Sequence, residues 1–244
     1  MLFDFKNQTE TSTDLYIYGD IVSENLPDWN GNVSETAVDL KAFKEAVDKL
    51  GAGQTLNIYI NSGGGSVFAA STMVSMIKRA QERGAKVISY IDGLAASAAS
   101  LFPMVADEAH IYSNSMLMIH KPLAGLLGYY NAGELHKLAD ELDAIENGVM
   151  MPLYNSKSKL SAQRTKNLVN AETWMNAEQI LETFDGFVLH DEEKKAAACV
   201  SEYFAKYSRT PSGLMSQPAP VTPIKKPDLS AYENKLKSLK RKEN

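Results

Sequence analysis

The stretch from Leu56 to Arg83 constrains the fold more than any other part of the chain. Leu56, Ile58 and Ile60 alternate with polar or amphipathic residues, which is the period of a strand with one buried face. The strand runs into Asn61-Ser62-Gly63-Gly64-Gly65, and a helical pattern follows from about Ser66 to Arg83. The next segment repeats the unit: a β-rich run from Lys86 to Asp92, a turn at Gly93, and a small-residue helix from Ala95 to Ala106. Strands that alternate with helices lead to an α/β layer fold, because each helix must return over the sheet before the next strand can pair.

The flanks extend the alternation. Leu15 to Ile21 reads as a strand, and Ser34 to Leu50 as a helix capped by Ser34, with Leu40, Phe43, Val47 and Leu50 on one stripe. Two short strands, Ala109 to Tyr112 and Met116 to Ile119, precede a Pro/Gly loop between Pro122 and Gly128. A long helical pattern then covers Asn131 to Lys157, and shorter ones Ser161 to Leu168 and Asn176 to Thr183. A last strand, Gly186 to Leu189, and a helix from Asp191 to Tyr207 complete the body. No repeat of solenoid period is present.

With 244 residues, of which 44% are hydrophobic, the chain can bury one sizeable core. Its start lacks the cationic and apolar pattern of an export signal, and nowhere does it reach the roughly 18 apolar residues of a membrane span. The expectation is a cytoplasmic protein without a membrane or nucleic-acid partner. A single cysteine, Cys199, makes neither an internal disulfide nor a Cys-rich zinc site. The charge is uneven. Of 25 Lys/Arg and 30 Asp/Glu, seven and three respectively fall in Lys225 to Asn244, so the tail is net +4 and the remainder -9. Between them, Ser208 to Pro227 holds five prolines among Ser, Gly and Thr, the composition of an extended linker. The expected domains are an N-terminal segment at 1–14, a core at 15–207, and a linker with a basic, amphipathic tail at 208–244, outside the core.

Three places combine residue types that carry chemistry. Gly63, Gly64 and Gly65 serve either a turn that needs φ > 0, or a backbone exposed closely enough to donate N–H groups to a ligand oxygen. The segment lacks the Lys-Ser/Thr ending of a phosphate loop. In Gly93-Leu94-Ala95-Ala96-Ser97-Ala98, Ser97 is either a helix cap or a nucleophile exposed on a sharp turn, with the next N–H free for an oxyanion. His120, at the end of Met116 to Ile119 and just before Pro122, is either a structural histidine or a general base. His110, His136 and His190 have no such setting, and no histidine pair has the helical spacing of a catalytic zinc site, so no metal is expected.

Asn61-Ser62-Gly63-Gly64-Gly65, Gly93-Leu94-Ala95-Ala96-Ser97, Met118-Ile119-His120-Lys121-Pro122 and Trp174-Met175-Asn176-Ala177-Glu178, in that order, resemble the motifs of the Clp protease proteolytic subunit family of serine peptidases. The resemblance covers about Leu15 to Leu189. It is most like the phage and prophage head maturation branch, given the acidic N-terminal segment and the appended tail. It implies a Clp protease/crotonase-like spiral of ββα units with a protruding handle helix, here Asn131 to Lys157.

The same resemblance implies Ser97 as nucleophile, His120 as general base, and Gly65 and Ala98 as oxyanion-hole donors. Glu172 stands where the family usually has an aspartate, and Asp185 is the alternative acid. Gly63 stands where the family commonly has proline. Peptide substrates would lie along Gly63, Gly64, Ser66 and Val67 on one side and Pro122 and Leu123 on the other. The implied activity is ATP-independent peptide-bond hydrolysis without a cofactor, any ATP dependence belonging to a separate unfolding ATPase. The implied assembly is a homo-oligomeric ring, heptameric or stacked as a double ring, with a capsid or scaffold protein as a further partner. Two other readings compete with it: a crotonase-like acyl-CoA enzyme, and a catalytically silent ring scaffold.

Overall fold

The structure, a computed structural model, describes residues 5–6, 9, 11–26, 38–190, 199, 201 and 203–215. Its strands are β1 (Phe5–Lys6), β2 (Ser12–Ile17), β3 (Ile21–Val22), β4 (Val38–Asp39), β5 (Thr55–Ser62), β6 (Lys86–Ala96), β7 (Glu108–Tyr112), β8 (Met116–Ile119), β9 (Thr173–Met175) and β10 (Phe187–His190). The helices are α1 (Leu40–Val47), α2 (Val67–Glu82), α3 (Leu101–Val105), α4 (Ala132–Ile145), α5 (Met151–Lys157), α6 (Ala162–Asn170), α7 (Ala177–Thr183) and α8 (Ser212–Met215).

The main sheet runs β1-β2-β5-β6-β7-β10, parallel except for the β1/β2 pair. Mixed α/β architecture on a parallel sheet is therefore the fold class, as the alternating pattern implies. Leu56, Ile58 and Ile60 of β5 are fully buried in the same core as Ala70, Met73 and Ile77 of α2. On the opposite face Tyr16, Tyr59, Tyr90 and His110 stand in register across four strands and stack, with ring centroids 4.7 to 4.8 Å apart.

The sheet forks at β6. Ile88 to Ile91 pair with β7, whereas Leu94 to Ala96 pair with Met116 to Met118 of β8, which in turn pairs antiparallel with β9. Here the sequence reading needs a correction. Gly93 does not start a helix: the strand continues to Ala96, because Leu94, Ala95 and Ala96 find ladder partners in β8 and Ala95 also in Ser62 of β5. The turn comes at Ser97 instead, as a 3-10 turn over Ser97–Ser100 leading into α3.

Three other expectations are revised by backbone geometry. The strand foreseen at Leu15 to Ile21 breaks at Gly19, whose φ of 140° only glycine adopts readily. Of the helix foreseen from Ser34, Ser34 to Thr36 and Ala37 lie outside the described residues, and Val38–Asp39 is a strand paired with β3, so helix begins at Leu40. The Asn131 to Lys157 helix is α4 and α5 joined by a π turn at Glu146–Met150, next to Pro152, which brings no N–H to the ladder. Most of the helix foreseen at Asp191 to Tyr207 lies outside the described residues; its described end holds one 3-10 turn, Phe204–Lys206. Among the described residues no helix is long and apolar enough to cross a membrane.

Ile21 N–H donates to Gly64 O at 2.8 Å and Ser66 N–H to Ile21 O at 2.8 Å, which locks the glycine loop against β3. Gly65 has φ 137°, and a Cβ there would run into the Ile21 backbone. Gly53, at φ 77°, faces open space. Gly65→Ala should therefore lower the unfolding free energy by more than about 2 kcal/mol, against about 1 kcal/mol for Gly53→Ala. Urea denaturation of the two variants beside the parent checks this, and equal losses would contradict it.

Candidate active site

Ser97 sits at the point where β6 gives way to the 3-10 turn. Its φ of 53° is left-handed, a conformation that costs a non-glycine residue roughly 1 to 2 kcal/mol. Such strain persists only where the surroundings enforce it. The Ser100 hydroxyl does so in part, donating to Ser97 O at 2.5 Å while sharing a 2.8 Å hydrogen bond with the buried Tyr154 hydroxyl. The sharp turn turns the Ser97 side chain outward, where its Oγ meets His120 Nε2 at 2.6 Å.

His120 follows directly on β8 and is 4% exposed. Because Ala96 pairs with Met118, the ends of β6 and β8 lie side by side and deliver Ser97 and His120 to one place. Burial pulls the His120 pKa down to about 4, against the opposing pull of the Glu172 charge. The imidazole is thus neutral near pH 7 and able to accept a proton. Lys121, the next residue, pairs with buried Glu146 at 3.5 Å and ties the histidine loop to the π turn.

Glu172 lies at the corner between α6 and β9, also with positive φ, 49°. Burial alone would raise its pKa. Bonds from the N–H and hydroxyl of Ser208 (2.7 and 2.8 Å), Arg209 N–H (2.6 Å) and Trp174 Nε1 (3.3 Å) outweigh that and hold the carboxyl below its ordinary range. None of these bonds comes from His120. Asp185 is elsewhere: its carboxylate is 73% exposed and faces Lys159 at 3.5 Å.

In the bridge between Ile21 and Gly65, the flanking Gly64 carbonyl and Ser66 N–H are the groups used. That bridge does not use the N–H of Gly65 itself. Ala98 stands in the first turn of a helix, where backbone N–H groups have no partner within the helix. Gly65, Ala98, Ser97 and His120 share one cleft of about 670 Å³. Ser66, Val67, Pro122 and Leu123 line it as well, as do Phe68, Leu138, Leu142 and Ile145. Gly63 and Gly64 do not line it. The Gly63 carbonyl accepts from Tyr207 Oη at 2.5 Å and Gly64 N–H donates to Ser62 Oγ at 3.1 Å.

The sequence reading missed the segment around Tyr207. Tyr203 and Lys206 line the cleft, and the Tyr207 ring lies edge-on to His120 at 4.9 Å between centroids. The one visible signal was the aromatic cluster Tyr203, Phe204 and Tyr207 immediately before a proline-rich stretch. The boundary expected at Ser208 falls between Tyr207 and the two residues that hold Glu172.

A strained serine on a strand-to-helix turn, bonded to a buried neutral histidine beside backbone donors, is the layout of an acyl-transfer site. Residues 33–188 match the family model for Clp protease, and the chain belongs to the Clp protease family. It is similar to the ATP-dependent Clp protease proteolytic subunit of Porphyromonas gingivalis, with 28% identity over 149 residues, 60% of this chain and 64% of that protein. The corresponding protein of Bacteroides thetaiotaomicron is 32% identical over 117 residues, 45% of this chain and 52% of that one. Proteolytic subunit 2 of Treponema pallidum is 28% identical over 152 residues, 62% and 72% respectively. The chain thus spans less than two thirds of the Porphyromonas gingivalis protein.

A histidine whose folded pKa lies near 4 and whose unfolded pKa is near 6.5 binds more protons when unfolded between those values. Its contribution to stability is therefore complete above about pH 6.5 and is lost as the pH falls towards 4, by at most about 1.4 kcal/mol per pH unit. Denaturant titrations from pH 8 to 4 should show this slope in the parent and a smaller one in His120→Asn. Parallel curves would refute the buried neutral state.

Proposed function

We propose that the chain is a serine endopeptidase in which Ser97 attacks, His120 accepts the Ser97 proton, and Gly65 and Ala98 stabilise the oxyanion. The observation that carries this reading is the 2.6 Å Ser97–His120 bond in the wall of a cleft of about 670 Å³. As Oγ adds to a peptide carbonyl, the proton moves to His120 Nε2 and then to the leaving amine, giving an acyl-enzyme that water hydrolyses through the same base. Glu172 is the acid of the reading, acting on the imidazolium through its charge. A protonated His120 in so dry a setting needs a nearby anion, and Glu172 is the one that acts on it. The apolar lining of the cleft, from Val67, Leu123, Leu138, Leu142 and Ile145, favours peptides with an apolar side chain beside the scissile bond. Ser66 and Val67 on one side and Pro122 and Leu123 on the other offer backbone to an added strand.

The proposal includes a ring of identical subunits. Helix α4 has no buried residue within the chain, and Leu127, Tyr129 and Leu135 before and on it are exposed, which fits a handle that packs on another copy. The acidic body and basic tail favour the head maturation branch, with a capsid or scaffold protein as the tail's partner, in a bacterial cytoplasm or a procapsid. The relatives' names carry ATP dependence, which would reach this chain only through a separate unfolding ATPase. Neither a crotonase-like reaction nor a silent scaffold requires Ser97 bonded to His120.

A fluorophosphonate probe should label Ser97, as located by peptide mass, and Ser97→Ala should lose both labelling and peptide cleavage while remaining folded. Labelling at another serine, or full cleavage by the variant, would overturn the assignment. Glu172→Gln keeps an acceptor for Ser208 and Arg209 but removes the charge. Its kcat should fall by about 10- to 1,000-fold with KM little changed. An unchanged kcat would remove Glu172 from the mechanism.

A further inference from the structure

The described residues between Cys199 and Thr210 (199, 201 and 203–210) follow the stretch matched to the family, which ends at residue 188, yet they reach several parts of the site. The Tyr207 hydroxyl donates to Gly63 O and interacts with the Ser97 side chain, and its ring packs edge-on against both His120 (4.9 Å) and Trp174 (6.1 Å). The next two residues give three hydrogen bonds to the Glu172 carboxylate. We propose that this segment is a strap that completes the active site, with Tyr207 the positioning residue for the Ser97–His120 pair and Ser208–Arg209 the clamp that fixes Glu172. The inference rests on the serine peptidase reading for its kinetic consequences, but not for its structural ones.

The seat of the strap is built into the glycine loop. A Cβ on Gly63 would collide with the Ser201 side chain and press on the Phe204 ring. Gly63 is not among the residues with positive φ, so its missing side chain serves space and not backbone conformation. Ser201 Oγ donates to Asp20 at 2.6 Å, the Cys199 thiol donates to Asn61 O at 3.7 Å, and the Thr210 hydroxyl donates to Phe204 O at 2.7 Å. Phe204 and Tyr207 are buried with Leu94, Ala96 and Met118, the ends of the two strands that deliver the catalytic pair. The strap does not block the cleft; Tyr203 and Lys206 form part of its wall.

This arrangement divides the work of the triad. Glu172 already accepts four hydrogen bonds from the strap and Trp174, and serves His120 as a charge at a fixed position. Tyr207 excludes water from the imidazole. The groups that face His120 are then Ser97 from the turn after β6, Glu172 from the corner before β9, and Tyr207 from the strap, with Lys206 at the cleft wall. Releasing the strap hydrates His120 and lets the Glu172 carboxylate drift.

The test uses the full chain carrying Tyr207→Phe, Tyr207→Ala, Gly63→Ala or Ser208→Pro. Residue 207 is already extended, as a residue before proline must be, so Ser208→Pro deletes two of the three clamp donors, the N–H and the hydroxyl of residue 208, without forcing a new backbone conformation at Tyr207. Two readouts are taken: the second-order rate of fluorophosphonate labelling at Ser97, and the NMR titration of the His120 ring protons. Tyr207→Ala and Gly63→Ala should move the His120 midpoint upward from about 4 towards 6.5 and slow labelling at least tenfold. Tyr207→Phe and Ser208→Pro should slow labelling several-fold with a smaller movement of the midpoint. Midpoints and rates within twofold of the parent in Tyr207→Phe, Gly63→Ala and Ser208→Pro would overturn the strap, even if Tyr207→Ala fails to fold. If the parent itself is not labelled while the His120 midpoint still moves in the variants, the peptidase reading falls and the strap stands.

Discussion

The short ladder between Leu94–Ala96 and Met116–Met118 is the interaction on which the rest of the site depends. By leaving β7 for β8 halfway along its length, β6 opens the sheet and sets two strand ends next to each other. Ser97 and His120 are the first residues past those ends, so backbone pairing brings them side by side and their side chains need only the right rotamers to make the 2.6 Å bond. The small side chains of Ala95, Ala96, Ala98 and Ala99 permit it. All four are buried where the fork, the 3-10 turn and α2 crowd together, and larger groups would push the strands apart.

The site that results places opposite electrostatic demands on two neighbours. His120 is kept dry, which favours its neutral form, whereas Glu172 is supplied with hydrogen-bond donors, which favours its charged form. A neutral imidazole and a carboxylate thereby stand in one site near neutral pH. The cost is backbone strain at Ser97 and Glu172, the two non-glycine residues with positive φ among those described. Strain of this kind persists only where the surroundings enforce it, as Ser100 does at Ser97 and the hydrogen bonds to its carboxylate do at Glu172. The core beneath, continuous from Leu15 of β2 to Phe184 after α7, supplies the rigidity that keeps both in place.

Much of this was legible in the chain itself. The alternation of Leu56, Ile58 and Ile60 gave β5 its buried face, and the helical patterns starting near Ser66 and Asn176 became α2 and α7, because hydrophobic period acts over a few residues. Ser97, His120, Gly65 and Ala98 stood out as motifs, and the fold gathers them around one cleft. The continuation of β6 through Gly93 to Ala96 was not legible. Gly-Leu-Ala-Ala has the composition of a turn and helix, and only ladder partners on β5 and β8 make it a strand.

What the sequence by itself determined is the local grammar: which segments are strands and helices, where glycine is required, and which serine and histidine are placed on turns. Those properties follow from steric and hydrogen-bonding preferences of neighbouring residues. Which acid is held beside the histidine, and by what, was decided only by tertiary structure. Glu172 and Asp185 are both carboxylates near strand ends, yet one is buried under four hydrogen bonds and the other faces solvent and Lys159. The difference comes largely from Ser208 and Arg209, more than thirty residues further along the chain than Glu172. Their N–H and hydroxyl groups carry no mark in the sequence, because every residue but proline offers a backbone donor and only the path of the chain aims it.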